Sequence, residues 1–148
     1  MSDENQARQL VVFTLGAEQY ALPIEQVHEI IRYDEPRSVA SPIPWVRGVI
    51  SLRGRIVPVY DLASRLGLAS AISESTKIVI VESGDETVGV IVDEVEEVLT
   101  VEEVDFEEVP GADSELIEAI AKLGDRLVVL LKPSTIFAGL GELAAQAA

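Results

Sequence analysis

Hydrophobic positions in this chain gather into short runs of β-branched residues broken by turn residues. Val49-Ile50 and Ile56-Val57-Pro58-Val59-Tyr60 are two such runs. The Leu52-Arg53-Gly54-Arg55 segment between them is able to turn, because glycine tolerates φ > 0. Together they predict a β-hairpin. Behind it Leu62 and Leu66 stand four apart and Gly67 occupies the place of a C-terminal stop, which predicts a short helix. Ile24, Val27 and Ile31 also have helical spacing, so the segment around them reads as a short amphipathic helix with His28 turned sideways or outward. A last helix is expected from Pro133 onward, where Ile136, Leu140 and Leu143 line one face. Gly139 and Gly141 weaken it alone, so it must dock on the rest of the fold.

The same pattern occurs twice. At an offset of 68, the stretch from Gly16 to Ile31 lies against Gly84 to Leu99, with identities at Gly16/Gly84, Glu18/Glu86, Val27/Val95 and Glu29/Glu97. Val11-Val12-Phe13 matches Val79-Ile80-Val81 at that offset, and at 71 Leu52 to Val57 matches Leu123 to Val128. Two blocks in the same order point to a duplication, with halves at about 9–76 and 77–137. A flexible tail at 1–8 and a C-terminal helix and tail at 138–148 flank them. Each half reads as strand, turn, strand, short amphipathic segment, loop, strand, turn, strand and helix. Short β-branched strands suggest small antiparallel barrels or sandwiches. A unit of roughly 65 residues has a marginal core by itself, so the two are expected to share hydrophobic surface. Thr100 to Ser114, acidic and carrying Pro110-Gly111, reads as a solvated connection.

Composition sharpens this. Of 148 residues 48% are hydrophobic, yet three Phe, three Tyr and one Trp are the only aromatics, so the core rests on Val, Ile and Leu. The absence of cysteine rules out disulfides and thiolate metal sites. No run approaches the ~18 apolar residues of a spanning helix, and the polar MSDENQARQ start has no apolar signal core. A cytoplasmic protein without membrane insertion is expected. The net charge of −15 repels phosphate backbones and argues against nucleic acid. Arg32, Arg37, Arg47, Arg53, Arg55 and Arg65 crowd the first half, whereas residues 82 to 118 hold no Lys or Arg, a polarity suited to oriented protein partners.

Little in the chain resembles catalytic chemistry. A nucleophilic triad would have to use His28, the single histidine, which has no ligand-spaced neighbour for a metal either. The acidic cluster from Asp93 to Glu108 lacks the glycine-centred calcium loop, and Gly48 and Gly54 fit no phosphate-binding loop. No catalytic residue, metal or cofactor is therefore expected. A hydrolase using paired carboxylates is the alternative from another class, and it requires a carboxyl of raised pKa in a concave site. One asymmetry between the halves stands out. Glu29 matches Glu97, but Arg53 matches Gly124, so an Arg53–Glu29 recognition pair is expected in the first half with no counterpart in the second. Arg55 matches Arg126 and reads as structural.

The stretch VRGVISLRGRIVPVYDLASRLGL, with LVVFTLGAEQYALPIEQVHEII before it and VGVIVDEVEEVL and KLGDRLVVLL after, closely resembles the CheW-type chemotaxis coupling proteins. The likeness runs from about Gln9 to Phe137. It implies a mainly β fold: two SH3-like five-stranded β-barrel subdomains packed on a shared hydrophobic core, with short helices and a C-terminal helix. It also implies a non-enzymatic adaptor, monomeric by itself, that joins the cytoplasmic tips of methyl-accepting chemoreceptors to the regulatory domain of the CheA histidine kinase. A coupling protein of a non-flagellar pathway, such as twitching motility, would look the same. By motif position the resemblance places Val27, Glu29, Arg53, Gly89 and Val98 in the receptor-binding groove. Gly48 and Gly54 fall at turns near partner surfaces, shared in an unspecified way between receptor and kinase. Ala119 departs from the family, many of whose members have glycine there.

Overall fold

Four two-residue turns organise the chain. The computed structural model describes residues 7–41, 43–69, 71–109, 111 and 115–138. Strands β1 (Arg8–Leu15) and β2 (Glu18–Pro23), β4 (Val46–Leu52) and β5 (Arg55–Tyr60), β6 (Lys77–Ser83) and β7 (Glu86–Val92), and β10 (Ile117–Leu123) and β11 (Arg126–Leu131) are antiparallel hairpins. Their two-residue loops match the right-handed twist of paired strands when the first loop residue has positive φ. Gly16 (φ 62°), Gly84 (φ 62°) and Gly124 (φ 66°) fill that position in three of them. In the fourth it is Arg53, at φ 51° and followed by Gly54 at φ 80°. The remaining strands are β3 (Val27–Arg32), β8 (Glu94–Val101) and the short β9 (Phe106–Glu107). Helices α1 (Leu62–Arg65) and α2 (Pro133–Ile136) follow the hairpins β4–β5 and β10–β11.

The strands form two sheets, with orders β8-β1-β2-β11-β10-β9 and β3-β6-β7-β5-β4. Exchanging each strand of the first half for its counterpart in the second turns β8-β1-β2-β11-β10 into β3-β6-β7-β5-β4, so the duplication is complete at the level of topology. The boundary between repeats is not the boundary between sheets. The first hairpin of each half sits in the sheet built mostly from the other half. This exchange brings two parallel pairings, β2 with β11 and β5 with β7, into a fold expected to be antiparallel. Pro58 is tolerated in the inner strand β5 because the ladder to β7 begins one residue later, at Val59↔Gly89.

Each sheet curls round its own apolar interior, forming the two small barrels. Leu10, Val12, Ala21, Val101, Ala121, Val128 and Leu130 fill the first; Ile50, Val57, Val59, Ile78, Ile80 and Ile91 fill the second. The alternate residues of the same strands face the other barrel. Phe13, Leu15 and Leu22 meet Val79, Val81, Val88 and Val90 in a shared core, closed by Tyr60, Leu131 and Phe137. Strands covered on both faces read as unbroken apolar runs, which is why Leu10–Phe13 and Ile78–Val81 show no polar alternation.

The segment expected to be a helix around His28 is instead a single 3-10 turn, Ile24–Gln26, leading into β3. Its exposure alternates residue by residue from Val27 to Arg32, and it pairs with β6. Val27, Glu29 and Ile31 point inward while His28, Ile30 and Arg32 face out. His28 is half-exposed as expected, but on a strand, with Nδ1 at 3.6 Å from Glu82. Of the predicted acidic connection, Thr100 and Val101 instead end β8, with Val101 buried; residues 102–109 are mostly exposed, although Phe106-Glu107 adds β9 to the edge of β10. Of the C-terminal helix only Pro133–Ile136 is described; Leu140 and Leu143 lie outside the described residues.

Candidate interaction site

Glu29 and Arg53 come from distant elements and meet at the end of the second barrel. A β-bulge between Val27 and Glu29 in β3 makes His28 the extra residue and turns Glu29 toward the barrel end. Arg53 reaches it from the tip of the β4–β5 turn. Nη2 donates to Glu29 Oε1 at 2.7 Å while Nη1 donates to Oε2, a bidentate pair. The Glu29 side chain is 23% exposed and that of Arg53 66%. The hydrogen bonds from Arg53 hold the Glu29 carboxyl below the usual carboxylate range, against an opposing effect of desolvation. The guanidinium's planar fork is spent on one side only, so its outer N–H groups still face solvent. Left-handed backbone is rare for a residue with a β-carbon, and it persists where the surroundings enforce it. Here the hairpin register and the Glu29 pair supply that enforcement.

The expectation that the second half lacks such a pair is overturned. Arg126 Nη2 donates to Glu97 Oε2 at 2.5 Å, and its Nε donates to Gln19 Oε1 at 2.7 Å. Glu97 is the repeat partner of Glu29, whereas Arg126 is the partner of Arg55 rather than of Arg53. Arg55 in turn donates to Thr87 Oγ1 at 3.1 Å, and Thr87 is the partner of Gln19. A guanidinium arriving from one residue after the turn therefore does in the first barrel what Arg53 does from within the turn in the second. The repeat alignment compares positions and misses this, because a long side chain spans the two-residue difference.

The other predicted residues are dispersed. Val27 is half-buried against the shared core, two residues before Glu29 and across the β3 bulge from it. Val98 lies on β8 in the other sheet and is 53% exposed, as its counterpart Ile30 is exposed on β3. Gly89 is buried in β7, where an added Cβ would stand 2.8 Å from Ile78 Cγ2, so its bare face looks into the barrel. Any effect of Gly89 on a partner passes through packing. Gly48, expected at a turn, lies instead within β4 beside a bulge, where a Cβ would be 2.1 Å from the Arg37 carbonyl oxygen. Its bareness lets the segment at Arg37 bond to Val49, N to O at 2.8 Å in both directions. Ala119 occupies the matching bulge in β10. Gly54 has no atom within 4 Å of its would-be Cβ and serves the turn.

Beside the β4–β5 hairpin, Arg65 Nη1 donates to the buried Tyr60 hydroxyl at 2.6 Å while its guanidinium lies 5.6 Å from the centre of the Trp45 ring. Tyr60 also meets Phe137 edge-on at 5.1 Å, and burial pushes its hydroxyl pKa up. Asp61 caps α1 through Ser64 N and accepts from Arg47 at 2.7 Å. These contacts fix the hairpin that carries Arg53. Among the described residues no three His, Asp or Glu side chains are grouped to hold a metal. The low pKa of Glu29 is the reverse of what a general acid requires.

Residues 9–140 match the model of the CheW-like domain. Chemotaxis protein CheW of Bacillus subtilis (strain 168) is 36% identical over 132 residues, spanning 86% of this chain and 85% of that protein. Protein PilI of Pseudomonas aeruginosa is 36% identical over a shorter stretch of 86 residues, 56% of this chain and 47% of that protein. Among solved structures, the scaffolding protein TtCheW from Thermoanaerobacter tengcongensis superposes with a TM-score of 0.82 at 34% identity, over 90% of each chain.

Proposed function

The chain belongs to the CheW-like family and is a chemotaxis coupling adaptor, and we propose that it joins chemoreceptor cytoplasmic tips to the regulatory domain of a CheA-type histidine kinase. It works in the cytoplasm, by binding and without catalysis, metal or cofactor. The receptor-facing surface is built on Val27, Glu29 and Arg53, with Val98 contributed by the second unit. Gly89, Gly48 and Gly54 shape the strands beneath and beside it. A helical receptor tip offers an apolar stripe flanked by charge, and a strand that carries a half-buried valine and a carboxylate paired to a solvent-facing guanidinium is a fitting receiver. The observation that carries this reading is the Glu29–Arg53 pair: a two-thirds exposed arginine kept at a left-handed turn where the three sister turns have glycine. The turn itself does not require a side chain there; Arg53 holds Glu29 and still presents its outer N–H groups to solvent, where a partner carboxylate can meet them.

Arg53→Glu sets two carboxylates against each other at the barrel end and removes the cation. The expected result is an unchanged circular dichroism spectrum with about a tenfold or greater loss of affinity for receptor tip or kinase regulatory domain, measured by calorimetry. Wild-type affinity for both partners would overturn the assignment. A coupling role in a non-flagellar chemosensory pathway is the second reading, and the likeness to Protein PilI over 86 residues is compatible with it. Capture of receptors and kinase from the source cell with this chain as bait separates the two.

A further inference from the structure

The two barrels satisfy equivalent carboxylates in different ways. In the first, Arg126 alone serves both neighbours, Gln19 through Nε and Glu97 through Nη2. In the second, Arg55 keeps the contact equivalent to the first of these, to Thr87 Oγ1, while Glu29 is held by Arg53. Equivalence here rests on register: Arg55 and Arg126 each follow directly on a two-residue turn, Leu52↔Arg55 and Leu123↔Arg126. We propose that Arg55 is a reserve partner for Glu29. When a carboxylate on a docked partner draws off Arg53, Arg55 swings from Thr87 onto Glu29 and takes up the arrangement that Arg126 already holds with Glu97.

Three observations lead there. Glu29 is 23% exposed and Arg53 66%, so the cation is the accessible member and the carboxylate the one that would be stranded. A half-buried carboxylate left without a partner is costly, and a docking event that strands one loses affinity. Thr87 offers Arg55 a neutral acceptor at 3.1 Å, a weaker partner than a carboxylate, so the exchange runs in the favourable direction. The first barrel shows that the reach suffices, since a guanidinium from the position equivalent to Arg55 there holds the glutamate equivalent to Glu29. What draws Arg53 away rests on the adaptor reading above; the reserve pairing itself does not.

The free protein tests it. Arg53→Gly gives the turn the residue its three sisters carry, removing the left-handed strain together with the guanidinium, so a folded variant is expected. The Glu29 side-chain carboxyl is followed by carbon-13 NMR across a pH titration in wild type, in Arg53→Gly and in Arg53→Gly/Arg55→Ala. Reserve pairing predicts that Glu29 stays below the ordinary carboxylate range in the single variant and returns to it in the double. Return to the ordinary range in Arg53→Gly, or a carboxyl still held low in the double variant, overturns the proposal. For the docked state, Arg55→Ala is expected to weaken binding of a receptor tip roughly threefold to tenfold while leaving Glu29 low in the free protein. Unchanged affinity overturns the handover. If wild type binds neither receptor tip nor kinase, the adaptor reading fails, and the titrations still decide the pairing.

Discussion

Gly48 and Gly89 are both positions where a methyl group would collide, yet what stands in the way differs in kind. At Gly48 the obstacle is the Arg37 carbonyl oxygen, 2.1 Å from the would-be Cβ and tied by two backbone hydrogen bonds to Val49. At Gly89 it is Ile78 Cγ2, the branch methyl of a fully buried side chain, which shifts by repacking its neighbours and without breaking a backbone hydrogen bond. Gly48→Ala must give up the Arg37–Val49 bridge, and about 2–3 kcal/mol of stability is expected to go with it. Gly89→Ala repacks one barrel for about 1 kcal/mol. Urea unfolding of the two variants checks the order; equal losses would mean that the Arg37 segment yields as freely as a side chain. The sequence marks both glycines without telling these causes apart, because the carbonyl over Gly48 arrives from a segment eleven residues upstream. Arg53 was legible as the odd residue in a turn that elsewhere takes glycine. The Glu97–Arg126 pair was not, since its two members come from different hairpins and alignment pairs Arg126 with Arg55.

Quasi-equivalent elements show the same mixture of inheritance and divergence. Helices α1 and α2 follow equivalent strands, but Asp61 begins one and Lys132 the other. Asp61 accepts from Ser64 N at 3.1 Å and from Arg47 at 2.7 Å, whereas Lys132 makes no side-chain cap. At α2 the Thr135 hydroxyl bonds instead to the Glu115 carbonyl at 2.5 Å, tying the helix to the turn that leads into β10. Asp61→Ala is therefore expected to cost about 1–2 kcal/mol, a fall of roughly 3–6 °C in melting temperature, and Lys132→Ala close to nothing. Similar melting curves for the two would show that the tertiary seat of α1, not its cap, holds it. The hairpins and α1 were readable from apolar runs, turn glycines and Gly67. β3 was not. Ile24, Val27 and Ile31 satisfy a helical period, while Val27, Glu29 and Ile31 satisfy an alternating one, and six residues are too few to separate them. The decision comes from β6, whose unpaired edge offers β3 a ladder from Val27↔Val81 to Arg32↔Lys77 that no local helix can match.

At the scale of the molecule, the exchange of hairpins makes the halves interdependent. Among the described residues, the strand pairings within 1–76 are the hairpins β1–β2 and β4–β5; within 77–148 they are β6–β7 and β10–β11, with β9 on the edge. The pairings β1–β8, β2–β11, β3–β6 and β5–β7 all join one half to the other. The repeat was visible in the sequence, but repeats look the same whether each folds on itself or trades a hairpin with its twin. An isolated two-stranded hairpin is marginal in water, and neither half retains a closed barrel or both faces of the shared core. A chain cut between Thr76 and Lys77 is accordingly expected to give two fragments that are each unfolded by circular dichroism. Mixed, they should assemble one to one into a species with the wild-type spectrum, because every pairing that joins the halves remains available. A fragment that folds cooperatively alone would refute the exchanged topology, since it would have to build its barrel from its own strands. The exchange also bears on signalling: the β4–β5 turn with Arg53 stands on a sheet whose central hairpin, β6–β7, belongs to the other half. The ladder that joins that turn's strand to the other half's hairpin begins at Val59↔Gly89, so the surface around Arg53 exists only when both halves are assembled.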